Sequence, residues 1–429
     1  MLAWLGLLTI VALLYLVMAK KMAAIVALII VPLFTALMGG FTSEIIDFIT
    51  DGLRSIAPTG VMFIFAILFF GILTDAGTFK PLIKHLLRFA GNDPAKVAIA
   101  TAILAMAVHL DGSGAVTFLV TIPALLPLYD TLKMKRTTLA TIAALSAGTM
   151  NILPWGGPTI RAASALEVEV TTLFNPILIP VLCGLLTVIL IAWFLGKRER
   201  NNTDFPVQTG TLNNTPETPT GWERPKLYYM NILMIILAVT ALISGFAPPH
   251  VVFMVAFALA LILNYPKPKQ QAERVNAHAE AALLMAGILF AAGCFTGILK
   301  GSGMIDAMAQ GAVTFIPETV GSHLAVITGV VAMPASLLFD PDSFYFGILP
   351  LLSSTASHFG VAPIEVGRAA IMGQMTTGFP VSPLTGSTYL LIGLTGIELG
   401  DHQRKTIPLA FLVTLVILLI SLLIGAISW

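Results

Sequence analysis

The sequence predicts an all-α polytopic membrane protein built from two inverted repeats, each with five transmembrane helices and one re-entrant hairpin. The prediction rests on a low content of charge, on apolar runs of membrane-spanning length and on matching positions in the two halves. Of the 429 residues, 57% are hydrophobic and 10% are charged, whereas soluble proteins average about 25% charged residues. So little charge cannot supply a water-covered surface, which indicates that most of the chain lies in lipid.

Ten apolar stretches are long enough to cross about 30 Å of hydrocarbon as helices. None shows the alternation of a strand, so helices are the expected way to satisfy the backbone in lipid. The first stretch has no basic residue before it and no small-residue cleavage site after it, so we expect a retained helix and not a signal peptide. The predicted spans are residues 2–19, 22–39, 56–75, 137–166, 172–196, 227–246, 249–265, 279–299, 363–397 and 405–428.

Two further apolar stretches, 97–129 and 324–352, carry polar residues at their centres. Basic residues flank the first stretch on both sides, whereas the second has no Lys or Arg at either end. Because Lys and Arg in short loops stay cytoplasmic, the first stretch begins and ends inside and the second outside. We therefore expect two re-entrant hairpins that enter from opposite faces. The same rule places both termini outside and the loops at Lys20/Lys21, Lys80 to Arg88, Lys197 to Arg200, Lys267 to Arg274 and Arg404/Lys405 inside.

The two halves of the chain share positions at a nearly constant offset. Gly71 corresponds to Gly297 (297 − 71 = 226) and Pro154 to Pro380 (380 − 154 = 226), while the hairpin aspartates Asp111 and Asp340 are 229 apart. An odd number of spans per half forces the second half to enter the membrane upside down. Inverted repeats with interrupted helices at mid-depth are typical of secondary transporters.

Polar interruptions inside the long stretches 137–166 and 363–397 predict helices that stop and restart near the midplane. A restarting helix directs free amide groups and a partial positive charge into the gap, which suits a carboxylate. Turn residues alone could also explain any single interruption, but here the interruptions recur in both halves. The predicted substrate-binding residues lie in the hairpin tips and helix breaks: Ser113, Gly114, Thr117, Asn151, Gly156, Gly157, Thr159, Arg161, Ser343, Thr377, Ser382, Thr385 and Ser387. Arg161 is the candidate counter-charge, because guanidinium binds carboxylates bidentately.

Carboxylates within the hairpins are candidates for coupling transport to protons. A charge near the bilayer centre costs at least about 2.5 kcal/mol, so a carboxylate there is expected to be protonated or paired. Asp111, Asp340 and Asp342 are the predicted coupling residues. His109 either relays protons beside Asp111 or is satisfied by a backbone carbonyl.

The residues argue against an enzyme and against a nucleic-acid partner. Asp130 and Asp401 resemble the paired aspartates of intramembrane aspartyl proteases, but both lie beside basic loops and are expected to be solvated loop ends. The chain has no Gly-x-x-x-x-Gly-Lys-Ser/Thr sequence, so we expect no ATP hydrolysis. The formal net charge of +1 indicates no polyanionic partner, and we expect no cofactor.

Four motifs connect the sequence with a known family. The most specific is the run Pro154-Trp155-Gly156-Gly157-Pro158-Thr159 with Arg161 after it, and the others are Asp111-Gly112, Phe344-Tyr345-Phe346-Gly347 and Glu398-Leu399-Gly400-Asp401-His402-Gln403. With these motifs the chain resembles, through essentially its whole length, the bacterial citrate/divalent-metal:proton symporter family (CitMHS) of the ion transporter superfamily.

The resemblance implies a proton-coupled symporter of the bacterial inner membrane that imports citrate as a complex with a divalent cation such as Mg²⁺. It also implies a homodimer with an elevator mechanism. Residues 1–90 and 227–314 would be the scaffold, 91–196 and 315–429 the transport domain, and 197–226 a cytoplasmic linker. Asp111 and Asp342 are candidate metal contacts, although citrate and water would supply most ligands. The alternatives are a proton symporter for gluconate or another organic (di)carboxylate and, in another class, a channel.

Overall fold

The computed structural model describes residues 1–19, 21–201 and 221–429, and all regular structure in these ranges is helical. Lys20 and residues 202–220, the centre of the predicted linker, lie outside the described residues. Helix α10 runs to Asn201, so residues 197–201, predicted as the start of the linker, continue a helix instead.

The first half of the chain forms ten helices within the described ranges. They are α1 Leu2–Met18, α2 Ala24–Met38, α3 Ile45–Asp75, α4 Lys80–Ala90, α5 Pro94–Val108, α6 Gly114–Thr131, α7 Arg136–Met150, α8 Gly157–Ala165, α9 Val170–Phe174 and α10 Leu178–Asn201. A 3₁₀ turn, His109–Asp111, joins α5 to the tip of the first hairpin.

The second half repeats this order. Its helices are α11 Tyr228–Ile243, α12 Pro249–Asn264, α13 Pro268–Gly301, α14 Met304–Val313, α15 Glu318–Gly321, α16 Leu324–Ala335, α17 Leu349–Ser357, α18 Pro363–Ile371, α19 Gly386–Thr395 and α20 Leu399–Leu423. A π-helical segment, Ser343–Ile348, leads from the tip of the second hairpin into α17.

Seven helical stretches of the described chain are long and apolar enough to cross a membrane, and four more are apolar but shorter. Two predicted spans, 137–166 and 363–397, are each divided into two helices, α7 with α8 and α18 with α19. The arms of the first hairpin also reach spanning length, so helix length alone does not distinguish a hairpin arm from a span. Helices α3 and α13 begin 11 residues before their predicted spans, because charged residues in their first three turns interrupt the apolar run without ending the helix.

The helix ends reproduce the offset seen in the sequence. The first residues of α1 and α11 differ by 228 − 2 = 226, the last residues of α2 and α12 by 264 − 38 = 226, and the last residues of α3 and α13 by 301 − 75 = 226. The equivalent helices α3 and α13 pack against each other. Gly52 of α3 lies against Gly297 and Gly71 against His278, so the two helices run antiparallel. Antiparallel packing of equivalent helices is what an inverted repeat requires.

Most helix contacts fall within two groups. The first helix group comprises α1–α3 and α11–α14, centred on the long crossing of α3 with α13, whereas α4 packs on α5. The second helix group comprises α5–α10 and α15–α20 and contains both hairpins and both broken helices. Contacts between the groups include α8 against α3 and α13, and α1 against the π-helical segment. The hairpin tips and the first helix break therefore meet the first helix group at α3 and α13.

Candidate functional site

A cavity of about 580 Å³ lies between the two helix groups. One wall is the second half of α3 and the first half of α13, and the opposite wall is the first hairpin tip with both helix breaks. Eight of the seventeen predicted site residues line it: Asp111, Ser113, Gly114, Asn151, Gly157, Arg161, Thr385 and Ser387. The other nine do not: His109, Thr117, Gly156, Thr159, Asp340, Asp342, Ser343, Thr377 and Ser382.

The tip of the first hairpin is shaped by its own side chains. Asp111 Oδ1 accepts a hydrogen bond from the Ser113 amide at 2.8 Å, and Gly112 between them adopts a left-handed φ of 74°. Ser113 is the N-cap of α6, because its Oγ accepts from the Val116 amide at 3.3 Å. The sequence Asp-Gly-Ser-Gly thus provides the turn and the cap in four residues.

Asp111 is the carboxylate that the fold leaves open to the cavity. It lines the cavity and accepts only the Ser113 amide among the hydrogen bonds of the described chain. It has no ion-pair partner in residues 1–19, 21–201 and 221–429. A carboxylate in such surroundings can gain a proton or contact a cation.

His109 lies behind the tip and is fully buried. Its Nδ1 is 2.8 Å from Thr117 Oγ1, and that hydroxyl lies 2.8 Å from the Ser113 carbonyl, to which it donates. A hydroxyl has one hydrogen, so Nδ1 is the donor to Thr117. The structure therefore places His109 and Thr117 in support of the tip, and the predicted carbonyl partner of His109 is replaced by a hydroxyl.

The first helix break holds the two halves of the second helix group together. Asn151, at the end of α7, donates from Nδ2 to the Met375 carbonyl of the second break at 2.9 Å. Thr159 donates to the Ile152 carbonyl at 2.8 Å, which closes the break against the start of α8. A Cβ on Gly156 would lie 2.1 Å from the Asn151 carbonyl oxygen, so this tight turn requires glycine.

Arg161 joins the first break to the second hairpin. Its Nε donates to Asp342 Oδ1 at 2.6 Å, and the two side chains are only 8% and 13% exposed. A Cβ on Gly157 would lie 2.8 Å from Arg161 Nη1, so the guanidinium lies directly against the start of α8. The Nη groups make no hydrogen bond to the described residues, and Arg161 lines the cavity. They remain free to bind a carboxylate.

Both aspartates at the tip of the second hairpin already have partners within the protein. Asp340 accepts from the Asp342 amide at 3.1 Å, from the Ser343 amide at 3.0 Å and from Ser343 Oγ at 2.5 Å. Asp342 is held by Arg161, and Ser343 is buried. From this tip Pro341 lines the cavity.

The second helix break is held by hydroxyl groups. Ser382 donates to the Ser336 carbonyl of the second hairpin at 2.6 Å, and Thr377 lies 2.5 Å from Thr414 Oγ1 of α20. Thr385, which does line the cavity, donates to the Phe379 carbonyl at 2.8 Å. Thr377 and Ser382 are thus occupied in shaping the break.

Three helices begin at the cavity. Gly114, Gly157 and Gly386 are the first residues of α6, α8 and α19, and all three line the cavity. Each helix start directs the positive end of the helix dipole and amide groups without helical partners into the cavity, apart from the Val116 amide, which Ser113 caps, and Pro158, which has no N–H. With Arg161 beside them, they make the cavity wall that the second helix group forms attractive to an anion.

Several cavity residues were not predicted as site residues. Trp155 donates from Nε1 to the Leu110 carbonyl at 2.8 Å and stacks on Phe70 with ring centroids 5.3 Å apart, so it links the first tip to α3. Phe379 fills the space beside Gly114, and His278 lines the first-group wall. Trp155 belongs to the motif that is most specific for the family, so the sequence did contain a signal for it as a site residue. His278 lies directly before the predicted span 279–299, and no motif or polar interruption there indicates a site residue.

Within the described ranges, no three His, Cys, Asp or Glu side chains come close enough to hold a metal ion. Asp111 lines the cavity, whereas Asp342 is ion-paired with Arg161. The predicted metal contact by these two residues stays a prediction.

Comparison with known proteins identifies the relatives. Residues 7–373 match the family model described as citrate transporter, CitMHS. The chain is 44% identical over 429 residues to a citrate transporter of Bacillus subtilis, covering 100% of both chains. It is 40% identical to the Mg(2+)/citrate complex secondary transporter of the same organism, covering 100% of this chain and 99% of that protein.

Solved structures show the same fold at low identity. The YdaH transporter of Alcanivorax borkumensis superposes with a TM-score of 0.61 at 15% identity, covering 91% of this chain and 88% of that one. MtrF of Neisseria gonorrhoeae, described as one of a class of antimetabolite efflux pumps, gives a TM-score of 0.62 at 12% identity, covering 92% of this chain and 86% of that one. These similarities confirm the predicted all-α transporter fold.

Proposed function

Because this chain belongs to the citrate transporter family CitMHS, we propose that it imports citrate, as a complex with a divalent cation, by proton-coupled secondary transport. The chain is a multi-pass membrane protein and a transporter, not an enzyme. The proposal adds the substrate, the coupling ion and a location in the bacterial cytoplasmic membrane.

The convergence of α6, α8 and α19 on one cavity carries the proposal. Three helix starts and the free Nη groups of Arg161 face a space of about 580 Å³, which is of the size usual for small-molecule sites. Amide groups at helix starts and a guanidinium are suited to carboxylate oxygens. A small polycarboxylate such as citrate matches this arrangement.

Asp111 supplies the reason for a co-transported cation. An anionic substrate beside an ionised Asp111 would suffer repulsion between like charges in a cavity of low polarity. A proton on Asp111 removes the repulsion, and a divalent cation carried by citrate turns it into attraction. Mg²⁺ prefers oxygen ligands and keeps several waters, so a single carboxylate of the protein is sufficient as a contact.

The two helix groups support an elevator mechanism. We assign the first helix group as scaffold and the second as transport domain, so that tips, breaks and substrate would move together against α3 and α13. Lys300 of α13 forms an ion pair with Glu167, which follows α8, and this pair joins the two groups at the end of α13 predicted to lie outside. The cavity is lined by Thr74, near the predicted cytoplasmic end of α3, and by His278 in the first half of α13, so we assign this arrangement to the inward-facing state. The homodimer stays a prediction.

Uptake into proteoliposomes tests the proposal. Purified protein should accumulate labelled citrate when Mg²⁺ is present and the pH is lower outside than inside. A chelator or a protonophore should each abolish accumulation, and gluconate should not compete. Absence of citrate accumulation under these conditions, with gluconate accumulating instead, would overturn the substrate assignment.

A further inference from the structure

His278 on α13 is the imidazole that the first helix group contributes to the cavity. Its Nε2 lies 2.9 Å from Asp75 Oδ2 on α3, whereas its Nδ1 has no hydrogen-bond partner in the described part of the chain. The side chain is 23% exposed. One nitrogen is therefore fixed by a carboxylate, and the other is left for a ligand.

Asp75 is already neutralised by a second partner. Arg274, one helical turn before His278, donates from Nη1 to Asp75 Oδ2 at 3.1 Å. The Arg274 guanidinium also lies 3.9 Å from the centre of the Trp222 ring. The Asp75–Arg274 pair is thus electrically balanced without His278, so a proton on the imidazole gives this end of the cavity a net positive charge.

Comparison of the repeats shows that His278 occupies a position where the other repeat has no side chain. Its equivalent in the first half is Gly52, since 278 − 52 = 226. A Cβ on Gly52 would lie 2.0 Å from the Gly293 carbonyl oxygen and 2.9 Å from Gly297 Cα, so the backbones of α3 and α13 touch there. The equivalent contact at the other end of the crossing is Gly71 with the His278 ring. The backbones of α3 and α13 thus pack closely at the Gly52 end of their crossing. At the Gly71 end, the His278 imidazole and the cavity take the place of this backbone contact.

We propose that His278 binds a carboxylate of the substrate at the cytoplasmic end of the cavity, in the inward-facing state only. The inference rests on the proposed citrate transport. A scaffold residue stays in place while the substrate moves with the transport domain, so it meets the substrate on one side of the membrane. His278 would thereby be a release-side contact, with Asp75 as the residue that positions its ring.

The charged groups that face the imidazole agree with this role. Asp75 comes from α3 and Arg274 from α13, while Asp111 and Arg161 lie across the cavity on the second-group wall. Only the protonated imidazole donates from both nitrogens. A carboxylate contact at Nδ1, with Nε2 already donating to Asp75, therefore requires the imidazolium form of His278.

The test compares the two sides of the membrane. The KM for Mg²⁺-citrate is measured in inside-out and right-side-out membrane vesicles for the wild type and for His278→Ala. His358→Ala is the control, because His358 is exposed and its Nδ1 lies 2.9 Å from the Ser354 carbonyl of its own helix. We expect the cytoplasmic-side KM of His278→Ala to rise by about tenfold, equivalent to about 1.4 kcal/mol, with the external KM unchanged.

An equal rise in KM on both sides, or no rise on either, would overturn the inference. His278→Gln keeps the volume of the ring and a hydrogen-bond donor but cannot be protonated. It provides the same comparison of the two sides if the alanine variant does not fold. If the wild type transports no citrate from either side, the proposed function itself fails, and this result is distinct from a normal wild type with an unaffected variant.

Discussion

The two hairpin tips occupy equivalent places in the repeats but differ in what remains free. In the first tip, Asp111 accepts one amide and faces the cavity. In the second, Asp340 accepts three hydrogen bonds, and Asp342 is ion-paired with Arg161. The duplicated fold thus supplies an aspartate twice, and the surroundings decide which one is available to a proton or a cation. The first tip is suited to coupling, and the second to building the site.

The largest expected effect is that of Asp111→Asn. The variant keeps the turn, because the amide oxygen of asparagine still accepts from Ser113, but it cannot bind and release a proton. We expect proton-driven accumulation of citrate to fall by about 100-fold, the size of an interaction of about 3 kcal/mol. Exchange of citrate across the membrane without a gradient should persist. Accumulation at the wild-type level would show that the open carboxylate is not the coupling group.

A double substitution separates the two roles of Arg161. Arg161→Gln alone leaves Asp342 buried without its partner, at a cost of about 3–5 kcal/mol, and should lower both the melting temperature and uptake. Arg161→Gln with Asp342→Asn removes both charges and should restore the melting temperature. Uptake should stay reduced by at least about tenfold, because the guanidinium that binds the substrate is still missing. Full recovery of uptake in the double variant would assign Arg161 a structural role alone.

Asp340→Asn should affect the fold more than transport. The substitution weakens the bonds to Ser343 and to two backbone amides, which we expect to destabilise the protein by about 1–3 kcal/mol. Citrate uptake per folded molecule should stay within about twofold of the wild type. Thermal unfolding in detergent and uptake normalised to folded protein measure the two quantities. A selective loss of proton coupling would instead show that Asp340, like Asp111, takes part in coupling.

Ser113→Ala is expected to have the smallest effect on stability. It removes the N-cap of α6, worth about 1 kcal/mol, and a hydroxyl from the cavity wall. The KM for citrate should rise by about fivefold, with coupling intact. Ser113 corresponds to Asp342 at the second tip (113 − 111 = 342 − 340). Comparing the KM for citrate in Ser113→Ala and Asp342→Asn therefore measures how far equivalent positions of the two tips differ in function.

Much of the fold could be predicted from the sequence. Local patterns such as the Asp-Gly-Ser-Gly turn and the proline-flanked breaks mark where helices end, and the offset of 226 recurs in the helix ends. The family resemblance is confirmed by the matched residues 7–373.

The partners of the site residues could not be predicted. Arg161 and Asp342 are 181 residues apart, and nothing local indicates that they pair. Asp340, Thr377 and Ser382 carry the chemistry of ligands, but the structure shows them bonded to neighbouring groups of the protein. His278 was missed for the opposite reason, because no interruption marks its position in α13.

Cysteine labelling tests most directly the claim that an anion binds where α6, α8 and α19 begin. In a background without Cys183 and Cys294, single cysteines replace Ser387 at the cavity and Ser55, which lines a separate cavity. We expect Mg²⁺-citrate to slow labelling at position 387 by about tenfold when it is present at about ten times its Kd, and to leave labelling at position 55 unchanged. Equal labelling rates at position 387 with and without Mg²⁺-citrate would contradict the account.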